Sequence, residues 1–179
     1  MSKWIETYSG KRFDFTSPAE NEYHIVDIAH ALSRLCRFGG HVKGDAYSVA
    51  EHSVQMSRAV EGLPAQVACL LHDGSEAYLG DVVSPLKNLL PMYQQIEDEI
   101  QAQVYEVLGM GVPDPDTMAI VHCCDMGALK TEAKNLLVTQ GRSWIDGIDV
   151  PPLAFVPQCW CAKRAEDEFI QRYLDLQGV

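Results

Sequence analysis

The chain has no apolar run approaching the ~18 residues of a membrane span. Its start, Met1-Ser2-Lys3-Trp4-Ile5-Glu6, lacks the apolar core of a secretory signal. Positive charge is scarce: 14 Lys and Arg stand against 25 Asp and Glu, a formal net charge of −11. That argues against duplex DNA or RNA held by a general basic surface. A small phosphorylated ligand, which needs only a few local cations, stays open. Zinc-ribbon spacing is missing as well. The cysteines are Cys36, Cys69, the adjacent pair Cys123-Cys124, and Cys159-Trp160-Cys161, none with the two-residue gap of a ribbon. They read as reduced thiols acting as small buried hydrophobes, in a cytoplasmic protein. Internal repeats, low-complexity tracts and interior linkers are also lacking.

What is present reads as one all-α domain. The 179 residues are 47% hydrophobic and 22% charged, enough for a substantial core. An extended segment around Thr7–Phe15 has a turn signal at Ser9-Gly10 and suggests a small hairpin. The pattern becomes helical at Ile25, with Ile28, Ala31, Leu32 and Leu35 on one face, Asp27 near the start and Gly39-Gly40 as the stop. Ser48 predicts an N-cap, with Glu51 as its capping-box partner, for a helix over 49–60. Further helices are expected over about 64–77, 92–108, 116–137 and 162–176. A loop marked by Gly80 and Pro85 follows the first of these. The domain core spans about 25–137, with the N-terminal segment and the last helix packed on it. The helix carrying Ile96, Ile100, Val104, Val107 and Leu108 has apolar positions to spare, so a homo-oligomer is expected.

Polar residues on apolar faces carry the chemistry. His72-Asp73 ends the run Val67-Ala68-Cys69-Leu70-Leu71, where an ionised Asp needs a partner to be buried. His52 lies on the preceding helix and Asp125 interrupts a later apolar stretch. Two imidazoles and two carboxylates from three helices suit Zn, Mn, Co or Fe, with positions left open for water. Glu76 follows His72 by one turn and is placed to orient or deprotonate water. Asp81 lies in the loop beyond. Arg37, His41 and Lys87 are the nearby cations that could hold phosphate oxygens. Plainer readings stand beside these: Asp125 as a salt-bridge partner, Glu76 as a solvated helix residue, Asp81 as an Asx turn, Arg37 against a helix dipole, Lys87 and His41 as surface residues. His24, His30 and His122 read as bystanders.

The segments Ser48-Val49-Ala50-Glu51-His52-Ser53 and Leu70-Leu71-His72-Asp73-Gly74-Ser75-Glu76-Ala77-Tyr78-Leu79-Gly80-Asp81, with Asp125 far downstream, resemble the HD-domain metal-dependent phosphohydrolases. The likeness is strongest to the small 5'-deoxyribonucleotidases and to phage-type HD hydrolases, which include enzymes that strip triphosphate from dATP. It covers roughly residues 25–133. Arg37-Phe38 resembles the Arg-aromatic pair of the nucleotidases, with Phe38 where Trp is expected. The resemblance implies an HD-type helical bundle in which His52, His72, Asp73 and Asp125 hold a divalent metal. It implies that Glu76 activates water, that Asp81 orients substrate or water, and that Arg37 and Lys87 bind phosphate, with Phe38 and His41 as further substrate contacts. The expected reaction is hydrolysis of a dNTP, dATP favoured, or of a 5'-deoxynucleoside monophosphate. A triphosphate would call for Mg as well. The alternative is a non-catalytic module that binds metal or nucleotide.

Overall fold

The computed structural model describes residues 2–179 and is mostly helical. The exception is the expected hairpin. Strands β1 (Trp4–Glu6) and β2 (Arg12–Asp14) pair antiparallel, with Ile5 opposite Phe13. Gly10 turns the chain at φ 79°, a conformation open to glycine without a Cβ penalty. The hairpin is anchored through Phe13, which is fully buried and stacks on Tyr78 with ring centroids 3.9 Å apart. Ser9 adds a second anchor, donating from its backbone N and its hydroxyl to the two oxygens of Asp27.

Helix α1 (Ile25–Leu32) stops well before Gly39-Gly40. The chain instead becomes extended, because Cys36 forms an isolated β-bridge with Ser48. Arg37 N then donates to Tyr47 O, and Val49 N to Leu35 O. This bridge ties Arg37 to the start of α2 (Val49–Ala59). A 3-10 turn over Arg37–Gly40 follows, with Phe38 and Gly39 both left-handed at φ 57°. Ser48 caps α2 as expected, its hydroxyl accepting from Glu51 N at 3.1 Å. The Glu51 carboxylate does not return to close a capping box. It accepts from the backbone N–H groups of Gln158 and Trp160, each at 2.6 Å.

The helix expected over 64–77 is two helices. Helix α3 (Leu63–Leu71) ends just before the His-Asp doublet, and α4 (Glu76–Leu79) begins at Glu76. Residues 72–75 stay right-handed but turn more tightly, with Gly74 N bonded to Leu71 O and Glu76 N to Asp73 O. Gln101 secures the break: its amide donates to Leu71 O at 2.8 Å and accepts from Ser75 N at 3.0 Å. Gly74 is required here, since a Cβ would lie 2.7 Å from Val104 Cγ1. The loop expected around Pro85 contains a short helix, α5 (Ser84–Lys87).

Helix α6 (Pro91–Leu108) buries Ile100 and Val104 as its spacing predicts, but Val107 is exposed. Helix α7 (Pro115–Leu136) begins one turn-residue earlier than expected because Asp114 caps it, accepting from Thr117 N at 2.7 Å. Helix α8 (Ala162–Gln177) packs Ala165 and Phe169 against α1 and α2. Between α7 and α8 the chain lies across α7: Leu153 N donates to Gly127 O, and the Thr131 hydroxyl donates to Leu153 O. One contiguous core joins Phe13, Ile28, Leu32, Val54, Met56, Leu70, Leu71, Ile100, Val104 and Phe169. All six cysteines are free; Cys69 and Cys124 are buried, whereas Cys123 and Cys161 are exposed, contrary to the buried reading. Among the described residues, no helix is long and apolar enough to cross a membrane.

Candidate metal centre

The end of α3 and the middle of α2 bring His52, His72 and Asp73 together. One ligand atom from each lies within 4.8 Å of the others. His52 Nε2 faces His72 Nε2 at 3.2 Å, and Asp73 Oδ2 is 3.1 Å from His72 Nε2 and 3.8 Å from His52 Nε2. The outer nitrogens settle the tautomers. His72 Nδ1 donates to Cys69 O at 2.9 Å, and His52 Nδ1 donates to Glu132 Oε1 at 2.6 Å. Each ring thus turns its Nε2 toward the other. Two facing lone pairs repel unless a proton or a metal ion lies between them. Nitrogens bound at ~2.0–2.1 Å to one tetrahedral zinc would themselves be about 3.4 Å apart.

Asp125, from α7, joins at the edge. Its Oδ1 is 3.3 Å from His52 Nε2 and 3.6 Å from Arg37 Nη2. Neither contact has hydrogen-bond geometry, so Oδ1 is buried without a partner. Glu76 Oε2 is likewise buried and unpartnered. The His52-His72-Asp73 group could hold a divalent cation, and the two orphaned carboxylate oxygens have no partner within the protein.

Arg37 links the carboxylates. Its Nε donates to Glu132 Oε2 at 3.0 Å and its Nη1 to Asp73 Oδ2 at 3.3 Å. Burial disfavours the guanidinium charge, but Glu132, Asp125 and Asp73 together hold it on. His52 is contested in the same way: burial and Arg37 push its pKa down, while Glu132 and Asp125 push harder and carry it up to about 9. Asp125 is pulled down to about 2 by His52 and Arg37 against its burial.

The remaining predicted residues sit beside this group. Glu76 is 5% exposed, and burial with the charges of Asp73 and Asp81 holds its carboxyl well above the usual range. Asp81 is raised too, by burial first. Lys87 donates to Glu97 Oε1 at 2.6 Å and lies 3.8 Å from Glu76 Oε1. Phe38 is half-buried, with the Arg37 guanidinium 5.9 Å from its ring centre. His41 is exposed beyond the turn; a Cβ on Gly39 would meet its ring at 3.7 Å and Val83 Cγ1 at 4.0 Å, so the Arg37 turn and the start of α5 are neighbours. Of the bystanders, His30 lies 3.2 Å from Glu166 and is stacked by Tyr8, His24 pairs with Glu22, and His122 is exposed.

Sequence reasoning missed three residues. Glu132, fully buried, receives His52, Arg37 and the Tyr47 hydroxyl. Its one signal is position: seven residues, two helical turns, after Asp125 on the same face. Glu97 and Gln101, on α6, hold Lys87 and the α3 break and carry no local signal.

No model of a known protein family matches the chain. It is 36% identical to "Uncharacterized protein YfdR" of Escherichia coli (strain K12), over a 187-residue alignment covering 98% of this chain and 97% of that one. It is 35% identical to "Uncharacterized protein RCAP_rcc00048" of Rhodobacter capsulatus, over 143 residues covering 74% of this chain and 72% of the relative. The chain belongs to the YfdR family. The alignment with the first relative is long enough to span the whole helical core of this YfdR-family protein, centre included.

Proposed function

We propose that this protein is a metal-dependent hydrolase of nucleoside phosphates, with deoxynucleotides as its substrates. The observation that carries the reading is Glu76: a buried carboxylate with an unpartnered oxygen, four residues from His72 and facing the charge of Asp73. A purely structural site has no use for such an acid. His52, His72, Asp73 and Asp125 would hold Zn, Mn or Co, with Mg added for a triphosphate. Bound there, the ion supplies Lewis acidity, which acidifies water and takes up charge developing on phosphoryl oxygens. Glu76 receives the proton of the attacking water at Oε2; burial beside Asp73 and Asp81 makes its carboxylate a stronger proton acceptor than an exposed one. Asp81 orients water or substrate. Arg37 and Lys87 hold phosphate oxygens, with Phe38 and His41 on the substrate side. Exposed Val107 and Met110 at the end of α6 suit self-association, which light scattering reads directly.

The test is incubation of purified protein with dAMP and dATP, with Zn, Mn, Co or Mg, and identification of products. Single phosphate from dAMP defines a 5'-nucleotidase, and triphosphate from dATP a triphosphohydrolase. No hydrolysis of either overturns the proposal and leaves a metal- or nucleotide-binding module. Glu76→Gln should keep its metal content and lose about 10²–10⁴-fold in rate; unchanged hydrolysis would remove Glu76 from the mechanism.

A further inference from the structure

Glu132 touches both halves of this machinery, one with each oxygen. Oε1 accepts from His52 Nδ1 at 2.6 Å and from the Tyr47 hydroxyl at 3.0 Å; Oε2 accepts from Arg37 Nε at 3.0 Å. The residue is 0% exposed. A buried carboxylate persists only with its oxygens engaged, and two of its three partners here, His52 and Arg37, lead to the centre. The contacts are also directional. Taking Nδ1–H from His52 leaves Nε2 as the ring's only ligand atom, turned toward His72 and Asp73. Gripping Arg37 by Nε leaves both Nη groups forward, at longer range from Asp73 and Asp125.

We propose that Glu132 is the positioning residue of this centre, fixing His52 for the metal and Arg37 for the phosphate through its two oxygens. The phosphate half rests on the hydrolase reading above. The metal half does not, and is measured without substrate. A carboxylate behind a metal-binding histidine orients the ring and raises its basicity, and its loss typically weakens metal affinity 10–100-fold.

Two measurements test this on the full chain. In the zinc-loaded wild type, ¹H–¹⁵N correlation of the histidine rings should show His52 protonated at Nδ1, with that proton shifted far downfield by its short bond to a carboxylate. Zinc titration of Glu132→Gln by calorimetry should show affinity lower by about 10–100-fold, with the His52 Nδ1 proton moved upfield. Where dAMP or dATP is hydrolysed, KM should rise in the variant as Arg37 loosens. A folded Glu132→Gln with wild-type zinc affinity overturns the proposal. So does a wild-type His52 that carries its proton on Nε2, a result that needs no variant to fold. Should zinc binding behave as expected while neither nucleotide is cleaved, Glu132 keeps its hold on His52 and only the hydrolase reading fails.

Discussion

Glu51 and Glu132 are both withdrawn completely from solvent, yet their partners belong to different classes. Glu51 accepts from backbone N–H groups of Gln158 and Trp160. Glu132 accepts from an imidazole, a guanidinium and a phenol. Burial pushes both carboxyls up. For Glu51 the backbone donors do not overcome it, and the pKa stays raised. For Glu132 the charges of Arg37 and His52 do overcome it, and the pKa falls below the usual range. Burial of a carboxylate is therefore not by itself a sign of chemistry; the kind of donor that serves it is. Adjacent residues on α2 divide the two tasks. Glu51 fastens the segment that returns from α7 to α8, and His52 enters the centre.

Removing Glu51 strains that division most. Glu51→Ala leaves the buried Trp160 N–H and the part-buried Gln158 N–H without their acceptor. At about 1.5–3 kcal/mol for a hydrogen bond to a charged group, less at Gln158 where water takes the acceptor's place, urea denaturation should show a loss of about 2–5 kcal/mol. Zinc affinity of the folded variant should stay within about twofold of wild type, against the 10–100-fold loss expected at Glu132. An equal loss of zinc affinity at both glutamates would erase the distinction. A smaller effect is expected where the same segment crosses α7. A Cβ on Gly127 would lie 2.9 Å from Pro151 O and 3.2 Å from Leu153. Gly127→Ala should therefore cost about 1–3 kcal/mol in the same denaturation measurement, again sparing zinc binding. If zinc binding weakens instead, the segment supports the centre and not merely the fold.

The sequence exposes one side of this comparison better than the other. His52, His72 and Asp73 are legible because each is polar on an otherwise apolar face. The Ser9-Gly10 hairpin and the Ser48 cap are legible because their signals are local. Glu132 is hidden because its partners, Arg37, Tyr47 and His52, lie 80 or more residues away in the chain, and a lone Glu in a helix reads as a solvated residue. Glu51 misleads differently: its spacing from Ser48 fits a capping box, but its carboxylate answers to donors 107 and 109 residues downstream. The break after Leu71 is invisible for the same reason, since Gln101, which takes the freed carbonyl, is 30 residues on. The early end of α1 depends on a bridge between Cys36 and Ser48, again a contact between separate segments.

A third glutamate separates the partner's charge from burial. Glu166 on α8 has a cationic partner in Arg34, as Glu132 has in Arg37, but its side chain keeps 15% of its exposure. It accepts from Arg34 Nη1 at 2.9 Å and lies 3.2 Å from His30 Nδ1. Burial pushes its carboxyl up, and the hydrogen bond from Arg34, with His30 close by, pulls it below the usual value by more. A carboxyl depressed on folding stabilises the protein above its unfolded pKa, and that contribution is lost as pH falls through the folded pKa. Wild type should thus be the more stable protein near neutral pH, and its lead over Glu166→Gln should shrink as the pH drops from about 6 to about 3. With water at hand to screen the pair, the lead should be below about 1 kcal/mol. Thermal melts across that range measure it. A lead that grows on acidification would reverse the sign, and a lead as large as the Glu51 effect would mean that cationic partners act as strongly at the edge of the fold as at its centre.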